Sequence, residues 1–317
     1  MSDGPRVSVV VPTYERADRV AGAVESALAQ TVTDLEVLVV NDGSTDGTGA
    51  EVDALATEHG RVTALHNDEN RGISHTRNRG LEAARGEFVC QLDDDDRWRP
   101  EKLERQLDLM DSLDEDYCGC HTAGLVRDAG GAVVREVRAG RGAPDDRWPG
   151  VLVRFDAIPH SSHLVRRSCL EAVGGYDESF PRGVDWDLTI RLARRWQFGY
   201  VDELLVERRY DGDNVSGDPA FGDPAYEVAI RERLAEKYRA ELDAHPDTRE
   251  RFDARLAKQR GLAALERGGR RAAVRHLLGA ARREPSTTNL ATLALGTLGP
   301  GAYRAGWRLK RALGGGR

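Results

Sequence analysis

Lysine is nearly absent from this 317-residue chain. Of its 46 basic residues, only Lys102, Lys237, Lys258 and Lys310 are not arginine. Cationic recognition therefore rests on the planar guanidinium, whose paired donors match carboxylates and phosphates. Cysteine is scarce as well. Cys90 lies inside an apolar run, and Cys118-Gly119-Cys120 has neither zinc spacing nor a second pair to complete a site. With Cys169 they read as four reduced thiols, which places the protein in the cytoplasm. The first six residues carry no signal-peptide apolar core, and no apolar run approaches the ~18 residues needed to span a bilayer. An excess of positive charge is also missing. The net charge of -7 and the pI near 5.7 argue against a nucleic-acid partner. What remains is an ordinary globular composition, 40% hydrophobic and 31% charged, with room for one large domain and an appendage.

The first hundred residues alternate between apolar runs and helical spacing. Val7–Val11, closed by Pro12, reads as a buried strand, as do Leu35–Val40, Arg61–Leu65 and Phe88–Leu92. Between them, residues 17–30, 46–59 and 73–84 carry apolar residues at helical spacing. The β-α-β-α-β-α-β order predicts a Rossmann-like, mostly parallel sheet flanked by helices. Residues 117–137 read as further strand and turn, and 188–196 as a helix. The Gly- and Arg-rich stretch Arg138–Pro149 reads as a mobile loop. From about residue 220 the pattern becomes helical, at 226–243, 247–267 and 270–283. The spacing RLAKQRGLAALERGGRRAAVRHLLGAARREP resembles one tetratricopeptide-type hairpin, which must pack against something else. The expected division is 1–218 for the sheet domain and 219–317 for a helical C-terminal extension. The last stretch, Tyr303–Leu313, is basic and amphipathic. Peripheral contact with a membrane surface and ordinary packing both fit it.

Ligands of parallel sheets bind outside the carboxyl ends of the strands. Pro12-Thr13-Tyr14-Glu15-Arg16, Asn41-Asp42-Gly43-Ser44 and Asp93-Asp94-Asp95-Asp96 should therefore meet at one sheet edge. Four adjacent carboxylates repel one another, and a hard divalent cation would relieve that cost. A solvated acidic turn is the plain alternative.

These segments, with NRGISHTRNRGLEAARGEFVCQLDDDDRWRPEKLE and GGYDESFPRGVDWDLTIRLA, resemble the family 2 glycosyltransferases in motif and order across residues 7–216. The resemblance implies a GT-A fold and inverting, metal-dependent transfer from a nucleotide diphosphate sugar, a UDP-sugar in the first instance. It implies donor contacts from Pro12, Thr13, Tyr14, Arg16, Asp42, Arg77, Asp93 and Asp94. It implies Mn²⁺ or Mg²⁺ on Asp95 with support from Asp93, and a general base at Asp185, with Asp187 as the alternative. Where the family usually has Glu-Asp, this chain has Val184-Asp185. His160 and His163 show no zinc-type spacing. The loop Tyr210–Ser216 supplies no histidine ligand and is expected to order over bound donor. The acceptor implied is a hydroxyl on a growing surface or lipid-linked glycan. The rival reading is a non-catalytic scaffold or nucleotide-sugar-binding module with a degenerate transferase domain.

Overall fold

The computed structural model describes residues 4–138, 147–153, 160–180, 182–209 and 223–313. Strands β1 (Val7–Thr13), β2 (Leu35–Asn41), β3 (Val62–His66) and β4 (Phe88–Gln91) lie parallel in the order β3-β2-β1-β4. Helices α1 (Val20–Leu28), α2 (Thr48–Glu58) and α3 (Ile73–Ala83) return the chain between them. Every residue of β1, β2 and β4 is buried, as expected for strands covered on both faces. The α1 residues Val20, Ala23, Val24 and Ala27 recur at helical spacing and enter the same core as Val9, Val37 and Phe88. Burying a side chain such as Phe88 contributes about 1.5–3 kcal/mol.

Beyond β4 the sheet is mixed. β5 (Asp96–Trp98), β6 (Tyr117–Arg127), β7 (Val133–Val137), β8 (Leu164–Arg166) and β9 (Gln197–Arg209) extend it to nine strands among the described residues, with β4-β8-β6-β9-β5 continuing the order and β7 paired to β6. β8 runs antiparallel to β4 and β6, whereas β9 runs parallel to β6. The strand character of 197–209 is not visible in the sequence. The buried and exposed residues of β9 do not alternate, and its pairing with β6 shifts register. Helices α4 (Lys102–Asp111), α5 (Arg167–Ala172) and α6 (Val184–Ala193) complete this unit.

Pro12 was expected to end β1, yet the strand runs on to Thr13 with Pro12 paired to Val40. On its other side β1 pairs with β4 only as far as Val10↔Gln91, and the last bond runs from the Leu92 N–H to the Val10 carbonyl. The next bond of a parallel ladder would need the N–H of residue 12, which proline lacks. The sheet therefore parts between Pro12 and Leu92 while β1 stays bonded to β2. The acidic run begins at this parting.

The chain divides into two compact units. One holds β1–β9 and α1–α6. The other holds the helices α7 (Pro224–Lys237), α8 (Arg239–Ala244), α9 (Pro246–Glu266), α10 (Arg270–Arg283), α11 (Thr287–Leu298) and α12 (Pro300–Leu313), together with the turn Gly150–Leu152. The stretch read as one helix over 226–243 is two, broken at the buried Tyr238. α8 stops ahead of His245-Pro246, because the residue before proline disfavours helical backbone. α9 and α10 form a hairpin closed by Gly268-Gly269, and Gly261 lets Leu277 approach. Among the described residues no helix is long and apolar enough to cross a membrane. The core of the loop expected to be mobile, 139–146, and the loop 210–216 lie outside the described residues.

In β6, a Cβ at Gly119 would sit 2.2 Å from the Leu164 carbonyl oxygen of β8. Gly119→Ala is expected to push these strands apart and to lower the urea-unfolding free energy by about 1–3 kcal/mol.

Candidate active site

The strand-end loops meet as their positions predict. The Asp42 N–H donates to the Thr13 carbonyl at 2.9 Å, and the Thr13 hydroxyl donates to the Asp94 carboxylate at 2.7 Å. The four aspartates then face four different environments. Asp93 accepts from Arg77 Nη2 at 2.7 Å, and its N–H donates to Ser161 Oγ at 3.1 Å. Burial, reinforced by the charges of Asp95 and Asp93, pushes Asp94 up to about 7 against the Thr13 hydrogen bond. Burial and the Asp93 charge also raise Asp95, with Arg208 and Arg16 opposing. Asp96 is 1% exposed, accepts from the Ser161 hydroxyl at 2.6 Å, and is raised well above the usual carboxylate range by burial. Burial thus works against ionisation at Asp94, Asp95 and Asp96.

Asp42 is bound by the chain itself. Its carboxylate accepts from Asn67 Nδ2 (2.7 Å) and from the N–H groups of Arg71 (2.9 Å) and Gly72 (2.9 Å). Arg79 holds the Asn67 side-chain carbonyl, which fixes the amide orientation. Gly72 has φ 86°, a conformation open to glycine at little cost. Asp42 thereby fixes the turn ahead of α3, and one of its four lone-pair sites remains for a ligand. In the same loop Asn41 Oδ1 accepts from the Ser44 N–H, three residues on.

A second link was not legible in the sequence. Glu15 has φ 53° and is the one non-glycine residue with positive φ among those described. Its N–H donates to Ser44 Oγ, and its carboxylate accepts from the Thr45 N–H (2.7 Å) and hydroxyl (3.1 Å). The N–H groups of Arg16 and Ala17 donate to Thr48 Oγ1 and Asp46. The loops after β1 and β2 are pinned together in this way, and Tyr14 is left 45% exposed at the junction.

Arg77 lies deeper, with its side chain 7% exposed. It pairs with Asp93, stands 5.6 Å from the Tyr176 ring centroid, and its charge reaches Asp185. The next residue, Asn78, clasps the Tyr176 backbone through both its amide groups (2.9 and 2.7 Å). Tyr176 OH lies 2.6 Å from His160 Nε2. Burial holds His160 well below its usual range, so a neutral ring shares one hydrogen with the phenol. Burial also lowers His163, to about 4. The His-Ser-Ser-His segment is therefore an internal support for the acidic run and for Tyr176.

Asp185 sits in the first turn of α6, after Gly183. Burial raises it, while Arg77 and the Trp186 N–H work in the other direction. Asp187, two residues on, is fully buried and held by Arg191 at 2.9 Å. Both features keep its carboxylate from solvent. Asp93, Asp94, Asp95, Asp185, Arg77 and Arg16 are thus linked through space. Pro12 is buried in β1, and Tyr14 lies on the surface of the adjoining loop.

Whether the acidic run suits a divalent cation is a question of donors and charge. Carboxylate oxygens are the hard donors that Mg²⁺ and Mn²⁺ take, and the run offers them on successive residues. Among the described residues no group of three or more His, Cys, Asp or Glu could hold a metal ion alone. A cation at this run would therefore have to draw most of its oxygens from elsewhere.

Residues 8–130 match the family model for glycosyl transferase family 2. The chain is 30% identical over 216 residues to a chondroitin synthase of Pasteurella multocida (strain Pm70), covering 67% of this chain and 21% of the synthase. It spans about a third of the length of uncharacterized glycosyltransferases from Rickettsia that it also matches. Among solved structures it is similar to the mannosyltransferase PcManGT from Pyrobaculum calidifontis in complex with GDP-Man and Mn²⁺. The TM-score is 0.57 at 20% identity, over 99% of this chain and 88% of that one. S. aureus TarS 1-349 in complex with UDP-GlcNAc gives a TM-score of 0.56 at 18% identity, over 98% and 92%. At such identities these structures speak for the fold. The chain therefore carries a family 2 glycosyltransferase domain, built on the GT-A fold.

Proposed function

We propose that the protein moves a sugar, with inversion, from a nucleotide diphosphate sugar to a hydroxyl of a growing surface or lipid-linked glycan. The observation that carries this reading is the arrangement of Asp93, Asp94 and Asp95 where the sheet parts, with Arg77 between them and Asp185. The GDP-Man and UDP-GlcNAc bound to the two structural neighbours support a nucleotide-sugar donor. We assign the donor here as UDP-linked.

Tyr14 offers its exposed ring to the base, and the remaining acceptor site of Asp42 takes a base N–H. Pro12 and Thr13 shape the strand end beside it. Arg16 faces the diphosphate, and Asp94 and Asp93 bind the ribose side of the donor. Asp95, with Asp93, would hold Mn²⁺ or Mg²⁺. Such an ion supplies Lewis-acid neutralisation of the departing diphosphate. Asp185 accepts the proton of the acceptor hydroxyl as its oxygen attacks the anomeric carbon opposite the leaving group. Arg77 orients Asp93 and limits the rise of the Asp185 pKa.

Asp185→Asn is expected to lower kcat by about 10²–10⁴-fold while leaving UDP binding intact by calorimetry. Asp95→Asn should instead abolish the Mn²⁺-dependent part of UDP binding. If neither variant changed transfer or binding, the scaffold reading would replace this one. Profiling a panel of nucleotide sugars by thermal stabilisation with Mn²⁺ tests the UDP assignment, because the true donor raises Tm most.

The base must be ionised to act. With its pKa raised by burial, kcat/KM falls as pH drops through a value above the ordinary ~3.9 of aspartate. Arg77→Gln removes a charge that opposes this rise, so the acid limb of the profile should move to higher pH. A limb that stays in place would detach Arg77 from the base. Glu15→Ala releases Tyr14 from its loop. It is expected to raise the donor KM roughly fivefold, the equivalent of ~1 kcal/mol in lost hydrogen bonding, with kcat little changed.

A further inference from the structure

Charge is distributed unevenly along the chain. Residues 270–317 contain ten Arg or Lys and one acid, Glu284, a formal +9, which leaves -16 on residues 1–269 of a chain whose net charge is -7. Arg270, Arg271, Arg275, Arg282 and Arg283 are exposed on or beside α10, and Arg304 on α12.

An apolar surface accompanies this charge. α11 (TTNLATLALGTL) has no charged residue. Its exposed positions include Leu290, Ala291, Ala294 and Leu298, which form one row along the helix at spacings of three and four. Leu290 is 52% and Leu298 71% exposed. On α12, Gly301, Ala305 and Leu309 are exposed at intervals of four, and Leu309 is 60% exposed. The helices already pack together by another face, since a Cβ at Gly306 would meet Leu295 at 2.5 Å. The Leu and Ala rows are thus left over after the helices have packed.

We propose that the exposed face of α11 and α12 docks on a bilayer surface carrying anionic lipid. The surplus of arginine calls for negative charge, and the leucine rows call for an apolar phase. An anionic bilayer presents both as successive layers, headgroups above acyl chains. An acidic protein surface would answer the arginines and leave the leucines in water. A neutral apolar partner would leave the arginines unmatched. This inference goes beyond the sugar-transfer reading and does not depend on it, because no residue of the candidate active site takes part.

The test is co-sedimentation of the full chain with vesicles of phosphatidylcholine, alone or with about 30 mol% phosphatidylglycerol. The chain should partition onto the anionic vesicles and not the neutral ones, with binding reduced by salt. Leu298→Gln and Leu309→Gln should each lower that partition about tenfold. Removal of one arginine by Arg304→Gln should lower it about fivefold. Far-UV circular dichroism and the thermal unfolding midpoint of each variant, measured in the absence of vesicles, should match the unmodified chain and so report a folded protein. Equal partition onto both vesicle types, or none onto either, would overturn the proposal. So would a dimer of the unmodified chain that Leu298→Gln converts to monomer, since the face would then belong to a second copy.

Discussion

Buried Arg77 stands between the two halves of the candidate active site, paired with Asp93 on one side and facing Tyr176 and the charge of Asp185 on the other. Arg77 projects from α3, a helix of the parallel half, whereas Asp185 and Tyr176 belong to the later, mixed half. A guanidinium with 7% exposed side chain needs anionic partners, since leaving it unmatched would cost several kcal/mol. Asp93 supplies the bonded contact and Asp185 a longer-range attraction. Asn78 then fastens the Tyr176 turn to the same helix turn of α3. Adjacent residues of one helix thus set the separation between the acidic run and the proposed base. Asp187 shows how the same arrangement discriminates between similar residues: two positions along α6, a carboxylate is consumed by Arg191 and shut away from solvent.

In the parallel half, β1, β2 and β4 were legible because they are buried on both faces and so read as near-continuous apolar runs. The topology rule then brought Thr13, Asp42 and Asp94 to one edge without any knowledge of side-chain contacts. The mixed half was legible only in part: residues 117–137 read as strand and turn, where β6 and β7 lie, while β5, β8 and β9 gave no signal. β5 and β8 have three residues each, too few to establish a period, and β9 shows no clean alternation. At the site, residue types with distinctive chemistry could be picked out, but their supports could not. Ser161, Asn67 and Asn78 are ordinary polar residues until folding places them against Asp96, Asp42 and Tyr176. Glu15 gave no signal because its backbone conformation is imposed by contacts with the neighbouring loop.

Proline has opposite roles in the two units. At Pro12 it leaves a strand intact and cancels one rung of hydrogen bonding on one side only, so the sheet opens locally without losing β1. At Pro246 it stops one helix and starts the next, which gives α9 a defined beginning for its packing against α10. The helical unit relies on small residues at its contacts, with Gly261 against Leu277 and Gly306 against Leu295. Close approach of the backbones in this way leaves the larger apolar residues of α11 and α12 free to face outward.

The four aspartates are chemically identical, yet Arg77, Thr13 and Ser161 each engage a different one. Their identities are therefore set by position alone. Deleting any one of them would leave three consecutive aspartates in the text of the sequence and composition almost unchanged, but it would shift every later carboxylate into its neighbour's surroundings. The reading frame of the run is held by the serine beneath it and the threonine beside it, so an alignment that slides these aspartates by one place would look faultless while misassigning each of them.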